Sequence, residues 1–119
     1  MLNLDTHILV RAVEGALAPA ERALLARQPW SISAIVLWEI AMLAQRGRIA
    51  IDLDTPELLG VLNHMRVWPI DLDVCRESAR LDFRGDPADE IIAATSIVHR
   101  VPLLTRDRTL RRSKRVPLA

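Results

Sequence analysis

Residues 31–44 read SISAIVLWEIAMLA, an apolar helical run broken by a single charge, Glu39. A helix that is apolar on all sides is stable only when packed into a fold, and an unpaired carboxylate carried into that packing is costly. The sequence therefore predicts a buried helix in which Glu39 meets positive charge, supplied by a cation or by an arginine such as Arg11 or Arg106.

Short apolar segments alternate with helical patterns on either side of this run. Residues 1–4, 30–32, 67–70 and 102–105 have the length and composition of buried strands. Helices are expected from about His7 to Glu14, from Pro19 onward, and from the Glu39 run to near Gly47. Three more are expected: from Pro56 to about Met65 with Thr55 as cap, from a cap at Asp73 through Leu81, and from Pro87 to Arg100 capped by Asp86. Such alternation implies an α/β fold with a parallel sheet covered by helices on both faces. With 119 residues, half of them hydrophobic, one compact domain spanning 1–119 is expected.

Composition narrows the class further. No apolar run approaches the roughly twenty residues that span a bilayer, and the first residues carry no basic leader, so a soluble, cytoplasmic protein without membrane contact is expected. Cys75, the lone cysteine, has no internal disulfide partner and reads as a core or helix-surface residue. The net charge of +1 conceals an asymmetry: residues 100–119 hold seven basic side chains against Asp107 alone. A basic end either contacts phosphate or forms a solvated tail, and composition does not separate the two.

The acidic residues fall at significant places on this frame. Asp5 follows the first strand candidate and Asp107 the last, and in open α/β sheets the carboxyl edge of the strands is where ligands bind. Asp89 lies in the first turn of the helix that opens at Pro87, a helix start that faces the same edge. Asp5, Glu39, Asp89 and Asp107 are thus expected to converge. Carboxylates forced together retain protons unless hard divalent cations sit between them, and magnesium or manganese in such a site supports hydrolysis of a phosphodiester. Taken singly, Asp5, Asp86, Asp89 and Asp107 fit helix starts equally well. Only Glu39, in mid-helix, has no capping explanation.

The words LNLDTHILV, SISAIVLWEIAML, GDPADEIIAATSI and VPLLTRD, in this order and spacing, resemble the acidic motifs of PIN-domain ribonucleases, most closely the VapC-like toxins of type II toxin–antitoxin pairs. The resemblance spans nearly the whole chain. It implies a three-layer α/β/α sandwich and an endoribonuclease that inhibits translation using one or two magnesium or manganese ions. Asp5, Glu39, Asp89 and Asp107 fall on the family's metal-binding positions, with Asp86 as the cap beside Asp89. Thr6, Ser33 and Thr105 fall where hydroxyls orient those carboxylates. Arg108, Arg111 and Arg112, just beyond Asp107, are candidates for gripping RNA. The resemblance further implies a cognate antitoxin and a homodimer. The expected products carry 5′-phosphate and 3′-OH ends.

Two other classes compete. A receiver-type phosphoacceptor also joins an α/β sheet to an acidic cluster, but it needs a lysine at a late strand end, and the only lysine here is Lys114 in the basic segment. A catalytically silent PIN-like module would usually have lost one acidic position. Histidine-based cleavage has little support, since His7, His64 and His99 are dispersed and only His7 lies near the acidic residues. Trp30, Trp38 and Trp68 read as core or dimer packing rather than as surfaces for stacking bases.

Overall fold

The computed structural model describes residues 1–119. The strands are β1 (Leu2–Leu4), β2 (Trp30–Ser33), β3 (Arg66–Trp68) and β4 (Leu103–Leu104). The helices are α1 (Thr6–Glu14), α2 (Pro19–Leu25), α3 (Ala34–Gln45), α4 (Pro56–Leu62), α5 (Leu72–Ser78), α6 (Pro87–His99) and α7 (Arg108–Arg112). The sheet is parallel throughout, in the order β3-β2-β1-β4. No helix is long and apolar enough to cross a membrane.

Every residue of β1 is buried, because both faces of the sheet are covered. Leu4 and Ile32 occupy one face and are fully enclosed. Asn3 and Ser31, paired in register, occupy the other and meet α6, where the Asn3 side-chain amide donates to Ser96 Oγ at 2.9 Å. The Ser31 hydroxyl donates to the Leu2 carbonyl at 3.0 Å. These buried polar groups hold α6 across the sheet in one register, because a slip would leave them unpaired.

Topology then decides where ligands meet the fold. The chain moves outward from β1 to β2 and β3, then returns to the far side of β1 as β4. The reversal leaves a crevice at the carboxyl ends of β1 and β4. α6 runs back against the sheet, so its first turn opens on the same edge.

Several details differ from expectation. The cap of α5 is Asp71, whose carboxylate accepts from the Val74 amide at 3.0 Å, and the helix stops at Ser78; Asp73 lies inside it. Thr55 makes no side-chain cap to α4 and instead closes a turn with Asp52, whose amide donates to the threonine oxygen at 2.9 Å. β3 begins one residue earlier than predicted and ends at Trp68. α3 is less enclosed than its composition suggests: Val36 and Ile40 are buried, whereas Trp38 is 58% exposed and belongs to no core. Cys75 is exposed on α5.

The basic segment is docked. Leu110 and Val116 are buried, and Leu103 donates its amide to the Pro117 carbonyl at 2.8 Å, so the last residues extend the sheet beyond β4. Asp82 accepts from the Ser113 hydroxyl at 2.6 Å and the Lys114 amide at 2.8 Å, and Arg115 pairs with Glu77.

Candidate metal centre

Asp5 is the first residue past β1, and its chain partner across the crevice is Thr105, the first past β4. The Thr105 hydroxyl donates to Asp5 Oδ2 at 2.6 Å, while Oδ1 accepts from the Thr6 amide at 2.8 Å. Asp5 therefore caps α1 and faces the crevice at once. It is 3% exposed, and that burial raises its pKa despite both hydrogen bonds; the charge of Asp107 pushes the same way.

Glu39 arrives from the second turn of α3. No basic side chain pairs with it: Arg106 pairs with Glu21, and the partner of Glu39 is the Thr6 hydroxyl, which donates to its Oε1. Burial is the main cause of its raised pKa, and the neighbouring charges of Asp5 and Asp86 add to it. Of the two sources of positive charge left open by the sequence, the arginine is absent. Two threonines, Thr6 beyond β1 and Thr105 beyond β4, align the two innermost carboxylates.

Asp89 sits in the first turn of α6. Its pKa rises from 3.8 to about 7, first through burial and then through the charges of Asp5, Asp107, Glu39 and Asp86. The four predicted carboxylates therefore share one electrostatic field, which Asp86 joins from the rim. Asp107 caps α7, with Oδ1 accepting from the Leu110 amide at 3.0 Å, and its own amide donates to Thr105 Oγ1 at 3.0 Å. Asp86 caps α6 through the Ala88 amide at 3.1 Å and is exposed.

As these side chains stand, no three Asp, Glu, His or Cys groups converge closely enough to share one ion. The expected convergence is therefore one of position and field, not of closed coordination. The donor set still fits a hard divalent cation: its oxygens are carboxylates, two of them oriented by hydroxyls, and their mutual repulsion is what such a cation relieves. Magnesium keeps several waters and binds through one or two carboxylates, so a closed cage is not required.

The remaining candidates divide. Ser33 does not reach Glu39; its Oγ accepts from the Ile35 amide at 3.2 Å and caps α3. Arg111 donates to the Thr105 carbonyl at 3.2 Å, Arg108 is exposed, and Arg112 lines a hollow with Asp82, Phe83, Thr109 and Ser113. Trp68 is buried and stacked on His99 at 3.9 Å, so it presents no free face for a base, while Trp30 donates to the Leu25 carbonyl at 2.8 Å and lines a hollow that holds none of the carboxylates. Sequence reasoning missed the bond from Arg106 to Glu21, which joins the loop between Thr105 and Asp107 to α2. The largest hollow, about 630 Å³ and lined by residues including Leu25, Trp30, Val61 and Met65, contains none of the four carboxylates.

Known proteins share this architecture. The chain is 38% identical over 84 residues to Ribonuclease VapC22 of Mycobacterium tuberculosis (strain ATCC 25618 / H37Rv), a match covering 68% of this chain and 65% of that protein. Among solved structures, VapBC2 from Rickettsia felis bound to a promoter DNA fragment matches 100% of the chain and 98% of its own, with TM-score 0.73 and 17% identity. DNA-bound VapBC from Salmonella typhimurium covers the same shares, with TM-score 0.70 and 21% identity. At those identities the structures speak for the fold alone. The sequence pattern of the PIN domain matches residues 3–116, and the chain belongs to the PIN domain family.

Proposed function

We propose that the protein is a magnesium- or manganese-dependent endoribonuclease and the toxin of a toxin–antitoxin pair. The observation that carries this reading is the shared field of Asp5, Glu39, Asp89 and Asp107 at the crevice between β1 and β4, which adds to burial in raising the pKa of Asp89 to about 7. The relative named Ribonuclease VapC22 supports the activity, and the VapBC complexes among the structural neighbours support an antitoxin as partner. A second copy of the chain is the other proposed partner, for which the exposed Trp38 on α3 offers apolar surface. Membership of the PIN family removes the receiver-type alternative, and the intact acidic quartet argues against a silent module.

In this reading Asp5, Glu39, Asp89 and Asp107 hold the ion. When bound, the ion supplies Lewis acidity at the phosphate and lowers the pKa of a water. Thr105 fixes one oxygen of Asp5, Thr6 fixes one of Glu39, and the capped starts of α1, α6 and α7 fix the backbone beneath them. Hydrolysis by water leaves the ribose 2′-OH without a role as nucleophile. Cleaved RNA should therefore carry 5′-phosphate and 3′-OH ends, read by enzymatic end-labelling before and after phosphatase treatment. Products ending in 2′,3′-cyclic phosphate would contradict the mechanism.

A further inference from the structure

Beside the acidic centre lies a hollow of about 260 Å³ lined by His7, Arg11, Arg106 and Asp107, without one apolar side chain. His7 and Arg11 are four residues apart on α1 and so stand one above the other on the same face. His7 is at the end nearer the carboxylates, where its charge is felt by both Asp5 and Glu39. Arg106 forms the opposite wall. Its guanidinium is gripped at two points by Glu21, Nε to Oε2 at 2.7 Å and Nη2 to Oε1 at 2.6 Å, which fixes the direction of the fork.

Arg11 is different. The two ion pairs of the chain use Arg106 and Arg115, leaving Arg11 exposed at the hollow without a carboxylate of its own. Its charge acts on Glu21 at a distance, but no hydrogen bond holds its guanidinium, whose planar fork matches a phosphate. We propose that this hollow is a subsite for an RNA backbone phosphate flanking the one that is cleaved, with Arg11 as its principal contact and His7 as a second donor. The proposal rests on the ribonuclease reading and deepens it. With no hydrophobic or aromatic residue in its lining, the hollow offers no ring for a base to stack on. It also moves the RNA grip from Arg111 and Arg112, of which one is tied to the Thr105 carbonyl and the other lies beside Asp82, to the exposed face of α1. The strand would approach along α1, passing Arg11 and then His7 before the carboxylates.

The test is fluorescence anisotropy of a labelled single-stranded RNA of randomised sequence, in EDTA to prevent cleavage, across a series of KCl concentrations. Arg11→Ala should weaken binding about tenfold and flatten the salt dependence by about one phosphate contact, while Arg112→Ala leaves both near native and Arg11→Lys keeps most of the salt slope. Native affinity and slope in Arg11→Ala would overturn the subsite, as would equal losses in Arg11→Ala and Arg112→Ala, which describe a diffuse basic surface. A native protein that binds no RNA here and cleaves none with manganese would instead overturn the ribonuclease reading itself.

Discussion

Asp5→Asn and Glu39→Gln should each reduce cleavage of total cellular RNA by at least about 100-fold while the protein stays folded. Both changes preserve shape and remove charge. Asp5 is the most enclosed of the acidic residues, held between the Thr105 hydroxyl and the Thr6 amide, so nothing nearby can rotate in to replace it. Glu39 comes from a different element and shares only Thr6 with it. Loss of either weakens the hold on a divalent ion, and displacing even the groups that orient metal ligands typically costs about 10- to 100-fold. Gel-resolved cleavage with manganese, run beside far-ultraviolet circular dichroism of each variant, checks this. Full activity in either variant would remove that residue from the site.

The second large effect is a dependence of metal-free stability on pH that manganese reverses. Asp89 holds its proton in the fold up to about pH 7, whereas an ordinary aspartate ionises near 3.8. Between those values the folded state binds more protons than the unfolded one, so stability falls as pH rises and this contribution is lost on passing the folded pKa. Asp5 and Glu39, also raised, act in the same direction. In EDTA the melting temperature should therefore decline from pH 5 to pH 8. Asp89→Asn should flatten the decline and raise the melting temperature at pH 8 by about 4 °C. That figure corresponds to on the order of 1 kcal/mol after allowing for solvent screening of a half-exposed group. Added manganese should stabilise the native protein more at pH 8 than at pH 6, because its ligands must be deprotonated. A metal-free melting temperature that rises with pH would contradict the shared field.

The placement of three of the carboxylates was legible in sequence because each is tied to a local signal: Asp5 and Asp107 follow strands, and Asp89 follows an Asp-Pro helix start. Strand–helix alternation likewise implied the parallel sheet. What was not legible depended on contacts between distant segments. The hydrogen-bond partner of Glu39 is a hydroxyl 33 residues away, and that of Arg106 is a carboxylate 85 residues away; neither spacing leaves a local trace. The cap of α5 went to Asp71 rather than Asp73 because two aspartates two residues apart offer equivalent caps until packing sets the register. The composition of α3 implied burial on all sides, but a helix touches the core along one stripe, and Trp38 lies off it. The basic end left a phosphate contact and a solvated tail equally open because charge dominates its composition, whereas Leu110 and Val116 anchor it to the core.

The most direct measurement is calorimetric titration of manganese into the native protein, Asp5→Asn, Asp89→Asn and Arg112→Ala. Saturable binding by the native protein and Arg112→Ala, weakened at least about tenfold in both acidic-site variants, is the predicted result. Equal binding by all four proteins, or none by the native one, would contradict the assignment of Asp5 and Asp89 to a metal centre.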